Sequence, residues 1–64
     1  MTVKRPPTRA QLEFWIEAIA HEGVNLTVWE EQFIFDMQRR VAQCWPFSDK
    51  EAAQIERIYA ERTP

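Results

Sequence analysis

Apolar residues recur with the 3.6-residue period of an α-helix along three stretches of the chain, and a capping signal precedes each stretch. The signal is a serine or threonine followed three residues later by glutamate or glutamine. The hydroxyl caps one free backbone N–H, while the acid or amide reaches back to another. It occurs at Thr8, Thr27 and Ser48. The predicted helices span residues 9–22, 28–44 and 49–61.

The signals that end helices lie at positions consistent with these predicted starts. Gly23, the only glycine in the chain, follows the first periodic stretch, where a left-handed C-cap favours glycine. Trp45 precedes Pro46, and a residue before proline is disfavoured in the α conformation. We expect residues 1–7 to form a flexible basic arm, because two prolines at its end delay helix entry. Residues 8–64 are then one three-helix domain.

Each predicted helix has one apolar face, and three such faces can close around a single core. The fold class is therefore all-α, either a small three-helix bundle or a helical hairpin with the third helix folded across it. The residues assigned to these faces are Leu12, Trp15, Ile16 and Ile19; Trp29, Phe33, Ile34, Met37, Val41 and Cys44; and Ala52, Ile55, Ile58 and Tyr59.

Four apolar residues lie away from these faces. Phe14 and Ala18 are on the far side of the first helix, and Val28 and Phe35 are on the back of the second. The third helix or the arm could cover one of them. Self-association or a foreign protein could cover them instead, since a domain this small has little room to hide large aromatics. We predict a protein interface at these positions, with a homodimer as one use of it.

The composition argues against an enzyme and against a bound cofactor. The chain has one cysteine and one histidine, so it can form neither an internal disulfide nor a four-ligand zinc site. His21 lies near the C-terminal end of the first predicted helix, where a protonated imidazole is favourable. We therefore expect it to cap the helix and not to act as a catalytic base. A glycine-rich phosphate loop is impossible with one glycine. We expect no metal, no cofactor and no catalytic residues.

The charge balance disfavours nucleic acid as the main partner. The chain has 8 basic and 10 acidic residues, whereas dedicated nucleic-acid binders carry a clear positive excess. Asp36 can pair with Arg40 at i, i+4, and Asp49 and Glu51 at the start of the third helix would repel phosphate. If nucleic acid is nevertheless bound, the candidate phosphate contacts are Lys4, Arg5, Arg9, Arg39 and Arg40.

No apolar run is long enough to cross a membrane, and the first residues lack the apolar segment of a secretory signal. We therefore expect no membrane contact and a cytoplasmic location.

Three segments resemble a pattern found in small phage-encoded proteins. They are Leu26-Thr-Val-Trp-Glu-Glu-Gln-Phe-Ile34, Phe47-Ser-Asp-Lys50 and Ile55-Glu-Arg-Ile-Tyr59. The resemblance covers roughly residues 25 to 62, and Glu51 stands where the pattern commonly has glutamine. Similar segments occur in stand-alone phage accessory proteins and in pieces of DNA-processing proteins. In size and helical character the chain is similar to the phage quorum-sensing anti-activators.

The resemblance implies a partner in an infected bacterial host. The anti-activators bind a LuxR-type transcriptional regulator and, in some cases, a pilus motor ATPase. The leading hypothesis is therefore a small phage-type inhibitor, acting in host takeover, that binds a host protein in the cytoplasm of that host. The alternative is an accessory module of phage DNA replication or recombination that contacts nucleic acid. A structural or assembly component is a third possibility.

Overall fold

The computed structural model describes residues 7–63, which form three α-helices joined by short loops. The helices are α1 (Arg9–Glu22), α2 (Val28–Ala42) and α3 (Asp49–Arg62). The prediction of an all-α bundle is confirmed. Apart from Pro7, the predicted basic arm lies outside the described residues.

All three predicted capping boxes are present. In each, the hydroxyl oxygen accepts a hydrogen bond from the backbone N–H three residues later, at 3.1 Å. In each, the side chain of that later residue also accepts a bond from the backbone N–H of the cap. The pairs are Thr8 with Gln11, Thr27 with Glu30, and Ser48 with Glu51. Local chemistry therefore determines where every helix begins.

The end of α2 differs from the prediction. The helix stops at Ala42 instead of residue 44, because Cys44 adopts a left-handed conformation with φ 57°. The Cys44 N–H donates to Val41 O at 3.1 Å, and the Trp45 N–H donates to Arg40 O at 3.0 Å. These two bonds make a Schellman motif in which cysteine takes the place that glycine usually fills. Cys44 is exposed, so its assignment to the core was wrong.

Gly23 ends α1 for a different reason from the one predicted. Its φ is −63°, so it is not left-handed. Its N–H donates to Ile19 O at 2.9 Å, and a Cβ at this position would lie only 2.5 Å from that same oxygen. Glycine is required here by close backbone approach.

α1 is the central helix and packs against both α2 and α3. Within the described part of the chain, seven buried side chains from all three helices form the core, and Trp15, Phe33, Phe47 and Tyr59 are among the residues packed around it. The buried residues are Leu12, Ile16, Ile19, Ile34, Met37, Ile55 and Ile58.

The buried face of α2 passes through Glu30, Ile34 and Met37 and does not include Trp29. The assignment of Trp29 to the core was therefore wrong: its side chain is 58% exposed. It stacks on Phe33 one turn later, with ring centroids 5.2 Å apart and planes 10° apart. The buried face of α2 differs from the predicted one because Glu30, the residue after Trp29, occupies the core-facing position.

That acid, Glu30, is only 5% exposed and is held from two sides. The Thr27 N–H donates to Glu30 Oε1 at 2.9 Å, and Arg62 Nε at the end of α3 lies 3.1 Å from the same oxygen. The Thr27 bond holds the pKa of Glu30 below its ordinary value of 4.5, and the charge of Arg62 acts in the same direction against the opposing effect of burial. Arg62 O also accepts from the Val24 N–H at 2.9 Å. This cluster joins the α1–α2 loop, the start of α2 and the end of α3.

Candidate functional site

Among residues 7–63, six large apolar side chains are exposed and seven form the buried core. The six are Phe14, Val24, Val28, Trp29, Phe35 and Trp45. Four of these are aromatic, which is unusual for a small domain, whereas a single exposed aromatic would need no explanation.

A depression lies where α2, the α2–α3 loop and the first turn of α3 meet. We call it the tryptophan cleft; its volume is about 310 Å³. Phe33 and Met37 contribute apolar surface to it, and Trp45, which is 57% exposed, stands at its edge. Trp29 extends the same aromatic surface along α2 through its stack on Phe33. Two tryptophans are thus presented on one side of α2.

An ion pair closes the cleft at the α3 side. Arg40 Nη1 donates to Glu51 Oε1 at 2.8 Å and lies 3.5 Å from Pro46 O. The predicted pair of Arg40 with Asp36 does not form, because Glu51 is already positioned as the capping acid of α3. Asp36 and Arg39 line the cleft as exposed charges, and neither has an ion-pair partner among residues 7–63. The cleft therefore offers one free positive and one free negative group beside its aromatic surface.

The candidate phosphate contacts are largely occupied within the protein. Arg9 Nε donates to Glu13 at 2.8 Å, its Nη1 donates to Trp45 O at 2.6 Å, and its guanidinium carbon lies 5.0 Å from the centre of the Phe47 ring. Arg9 thus fastens the start of α1 to the α2–α3 loop, and Arg40 is paired as described. Lys4 and Arg5 lie outside the described residues. Of the five candidates, the described part of the chain leaves only Arg39 unpaired.

Phe14 and Ala18 lie on the outer face of α1. Phe14 is 64% exposed, and its ring centroid is 6.4 Å from that of Tyr59. Tyr59 in turn stacks on Trp15 at 5.5 Å. Ala18 is half-buried and lines a shallow depression of about 200 Å³ beside Phe14.

Val28 and Phe35 lie on α2, away from the tryptophan cleft. Val28 is 84% exposed, and Phe35 is exposed at the edge of a depression between α1 and α2 that Leu26 and Ile34 also line. The four predicted interface residues therefore belong to two surfaces. The Phe14 ring contacts Tyr59 of α3 and makes no ring contact with Phe35.

The predicted apolar faces do not reveal the exposure of the two tryptophans, Trp45 at the cleft and Trp29 beside it. The sequence contains a signal for the exposure of Trp29. A second face with helical spacing passes through Glu30, Ile34, Met37 and Val41, and it leaves Trp29 outside. The face through Trp29 is nevertheless the one that residue type favours, since a tryptophan is ordinarily a better core residue than a glutamate. At Trp45 the sequence indicates only the end of a helix before Pro46.

Other chemistry receives no support from the described residues. Within positions 7–63, no three histidine, cysteine, aspartate or glutamate side chains are grouped so as to hold a metal ion. His21 lies 3.2 Å from Glu17 on the exposed side of α1, while Cys44 follows α2. No helix in this part of the chain is long and apolar enough to span a membrane.

Comparisons with family models, curated proteins and solved structures give no match for this chain.

Proposed function

We propose that this chain is a small phage-type protein that binds a host protein through the tryptophan cleft and modulates or inhibits it. The observation that carries the proposal is the exposure of Trp29 and Trp45 on one side of α2, beside the half-buried Phe33. Tryptophan is enriched among the residues that dominate protein–protein binding energy, because it buries a large area with few rotatable bonds.

The geometry of the cleft suits an apolar segment of a partner protein. Phe33 is already stacked against Trp29, and Arg40 is held by Glu51, so little side-chain ordering remains to oppose binding. The free guanidinium of Arg39 would favour an acidic residue beside the partner's apolar side chain. A LuxR-type regulator or a pilus motor ATPase is the partner class that the phage resemblance suggests.

Nucleic acid is the less favoured ligand. Two of the described arginines that could contact phosphate are paired with carboxylates, and the chain has more acidic than basic residues. We assign no catalytic step to the chain and place its action in the cytoplasm of a bacterial host.

The test is binding of the immobilised chain to a purified LuxR-type regulator and to a purified pilus motor ATPase. We expect binding to at least one of them, with an affinity that changes little between low and high salt. The variant with both Trp29→Ala and Trp45→Ala should bind at least about tenfold more weakly, as is usual when anchor residues are truncated. Val28→Ser is the control, since it removes a still more exposed apolar residue that does not line the cleft.

Two results would contradict the proposal. One is binding to either protein that survives the double tryptophan substitution unchanged. The other is absence of binding to both proteins together with DNA binding that weakens steeply with salt, which is the behaviour of phosphate contacts.

A further inference from the structure

The outer face of α1 has a shape that can pair with itself. Its residues Phe14, Glu17, Ala18, His21 and Glu22 follow the spacing i, i+3, i+4, i+7, i+8, so they form one stripe on the side opposite the buried stripe of α1. They line the depression of about 200 Å³ described above. A large side chain and a small one therefore lie one helical turn apart on an exposed face.

The large side chain is supported from behind. The Phe14 ring lies against Tyr59, and Tyr59 is stacked on the half-buried Trp15. Because this row of three rings connects an exposed residue to the core, the side chain of Phe14 has limited conformational freedom. A residue fixed in this way loses little entropy when a partner covers it.

We propose that a second copy of the chain covers this face, with two α1 helices antiparallel about a two-fold axis that passes between Phe14 and Ala18. In this arrangement Phe14 of each copy enters the depression beside Ala18 of the other. Closed two-fold symmetry makes both contacts identical, and a large residue facing a small one is how packed helices interdigitate. The inference does not depend on binding of a host protein at the tryptophan cleft.

Charge complementarity supports the antiparallel direction. α1 has no acidic residue in its first turn, whereas α2 and α3 have two each. With Phe14 opposite Ala18, the same register places Glu22 of one copy opposite Ala10 of the other, in that first turn. An acid is favourable at a helix N-terminus.

The contact is small, so the dimer should be weak. One pair of 14-residue helices meets over less than the roughly 800 Å² per partner of a standard interface, and small interfaces are typical of transient complexes. We therefore expect a reversible monomer–dimer equilibrium in the micromolar range instead of an obligate dimer.

The experiment is sedimentation equilibrium of the full chain under reducing conditions, which exclude a disulfide through the exposed Cys44. Phe14→Ala leaves two small residues facing each other, and Ala18→Phe leaves two large ones. Each variant alone should dimerise at least about tenfold more weakly, since burial of a phenylalanine accounts for at least that factor. An equimolar mixture of the two should form a heterodimer of nearly the original affinity, because each large residue again meets a small one.

Circular dichroism should first show that each variant has the helix content of the unmodified chain. Ala18→Leu replaces Ala18→Phe if the latter does not fold. Val28→Ser is the control and should leave the equilibrium unchanged. The inference is wrong if the unmodified chain remains monomeric at several hundred micromolar, if Phe14→Ala leaves the dimer intact, or if the mixture does not recover association.

Discussion

Replacement of Trp29 by alanine tests the most consequential difference between the sequence pattern and the structure. If Trp29 belonged to the core, its loss would cost about 3–5 kcal/mol. A domain of this size has a total stability of only about 3–10 kcal/mol, so such a loss would leave much of the chain unfolded. The structure leads to a different expectation, since more than half of the side chain is already in solvent.

The magnitude follows from the shielded area. A tryptophan buries about 150–250 Å² when fully covered, so less than half of this amounts to about 60–100 Å². At about 25 cal/mol per Å², and after allowance for the area that alanine itself buries, Trp29→Ala should cost about 1–2 kcal/mol. Ile16→Ala is the matched comparison: Ile16 is fully buried, and its truncation should cost about 2–5 kcal/mol.

The assay is urea denaturation followed by circular dichroism, which does not depend on the number of tryptophans. Trp29→Ala should retain a cooperative transition with a modestly lower midpoint, and Ile16→Ala should lose considerably more. Equal destabilisation by the two substitutions, or an unfolded Trp29→Ala chain, would refute the placement of Trp29 at the surface.

Three further predictions concern the helix ends. Thr27→Ala removes a capping hydroxyl and should lower the free energy of unfolding by about 1 kcal/mol in the same assay; an unchanged midpoint would contradict the observed cap. Gly23→Ala should be destabilising despite the ordinary φ, because its Cβ would meet Ile19 O, and a melting temperature at or above that of the unmodified chain would contradict this. Because the pKa of Glu30 is lowered by folding, its stabilising contribution is present above pH 4.5 and is lost as the pH falls through the folded value. Glu30→Gln should therefore flatten the loss of stability on acidification, and Glu31→Gln, at an exposed position, should not; identical acid profiles for the two would contradict the buried carboxylate.

Helix starts were predictable from the sequence because a capping box is a local interaction. The three hydroxyl residues and the acid or amide that follows each lie within one turn, so no distant residue is needed to place them. Most of the core was predictable for a similar reason, since the isoleucines of α1 and α3 recur with strong helical periodicity.

Two kinds of feature depended on tertiary contacts and could not be predicted in this way. Glu30 occupies a buried position because Arg62, which is 32 residues later in the chain, lies beside its carboxylate. Cys44 ends α2 in a left-handed conformation that the residue type does not favour, and its two backbone bonds accompany the turn toward α3. The buried Glu30 leaves Trp29 outside the core face, and the left-handed turn leaves Cys44 outside it. Of the two, the exposure of Trp29 contributes to the candidate site.

The indole N–H signals of the three tryptophans provide the most direct test of the central claim, that the tryptophan cleft is the binding surface. In a nitrogen–proton correlation spectrum of the labelled chain, Trp29 and Trp45 report on the cleft and its extension, while Trp15 reports on the contact of α1 with Tyr59. On addition of the LuxR-type regulator or the pilus motor ATPase that the chain binds, the Trp29 and Trp45 signals should shift or broaden, and the Trp15 signal should stay in place. A change confined to Trp15, with Trp29 and Trp45 unaffected, would contradict the account.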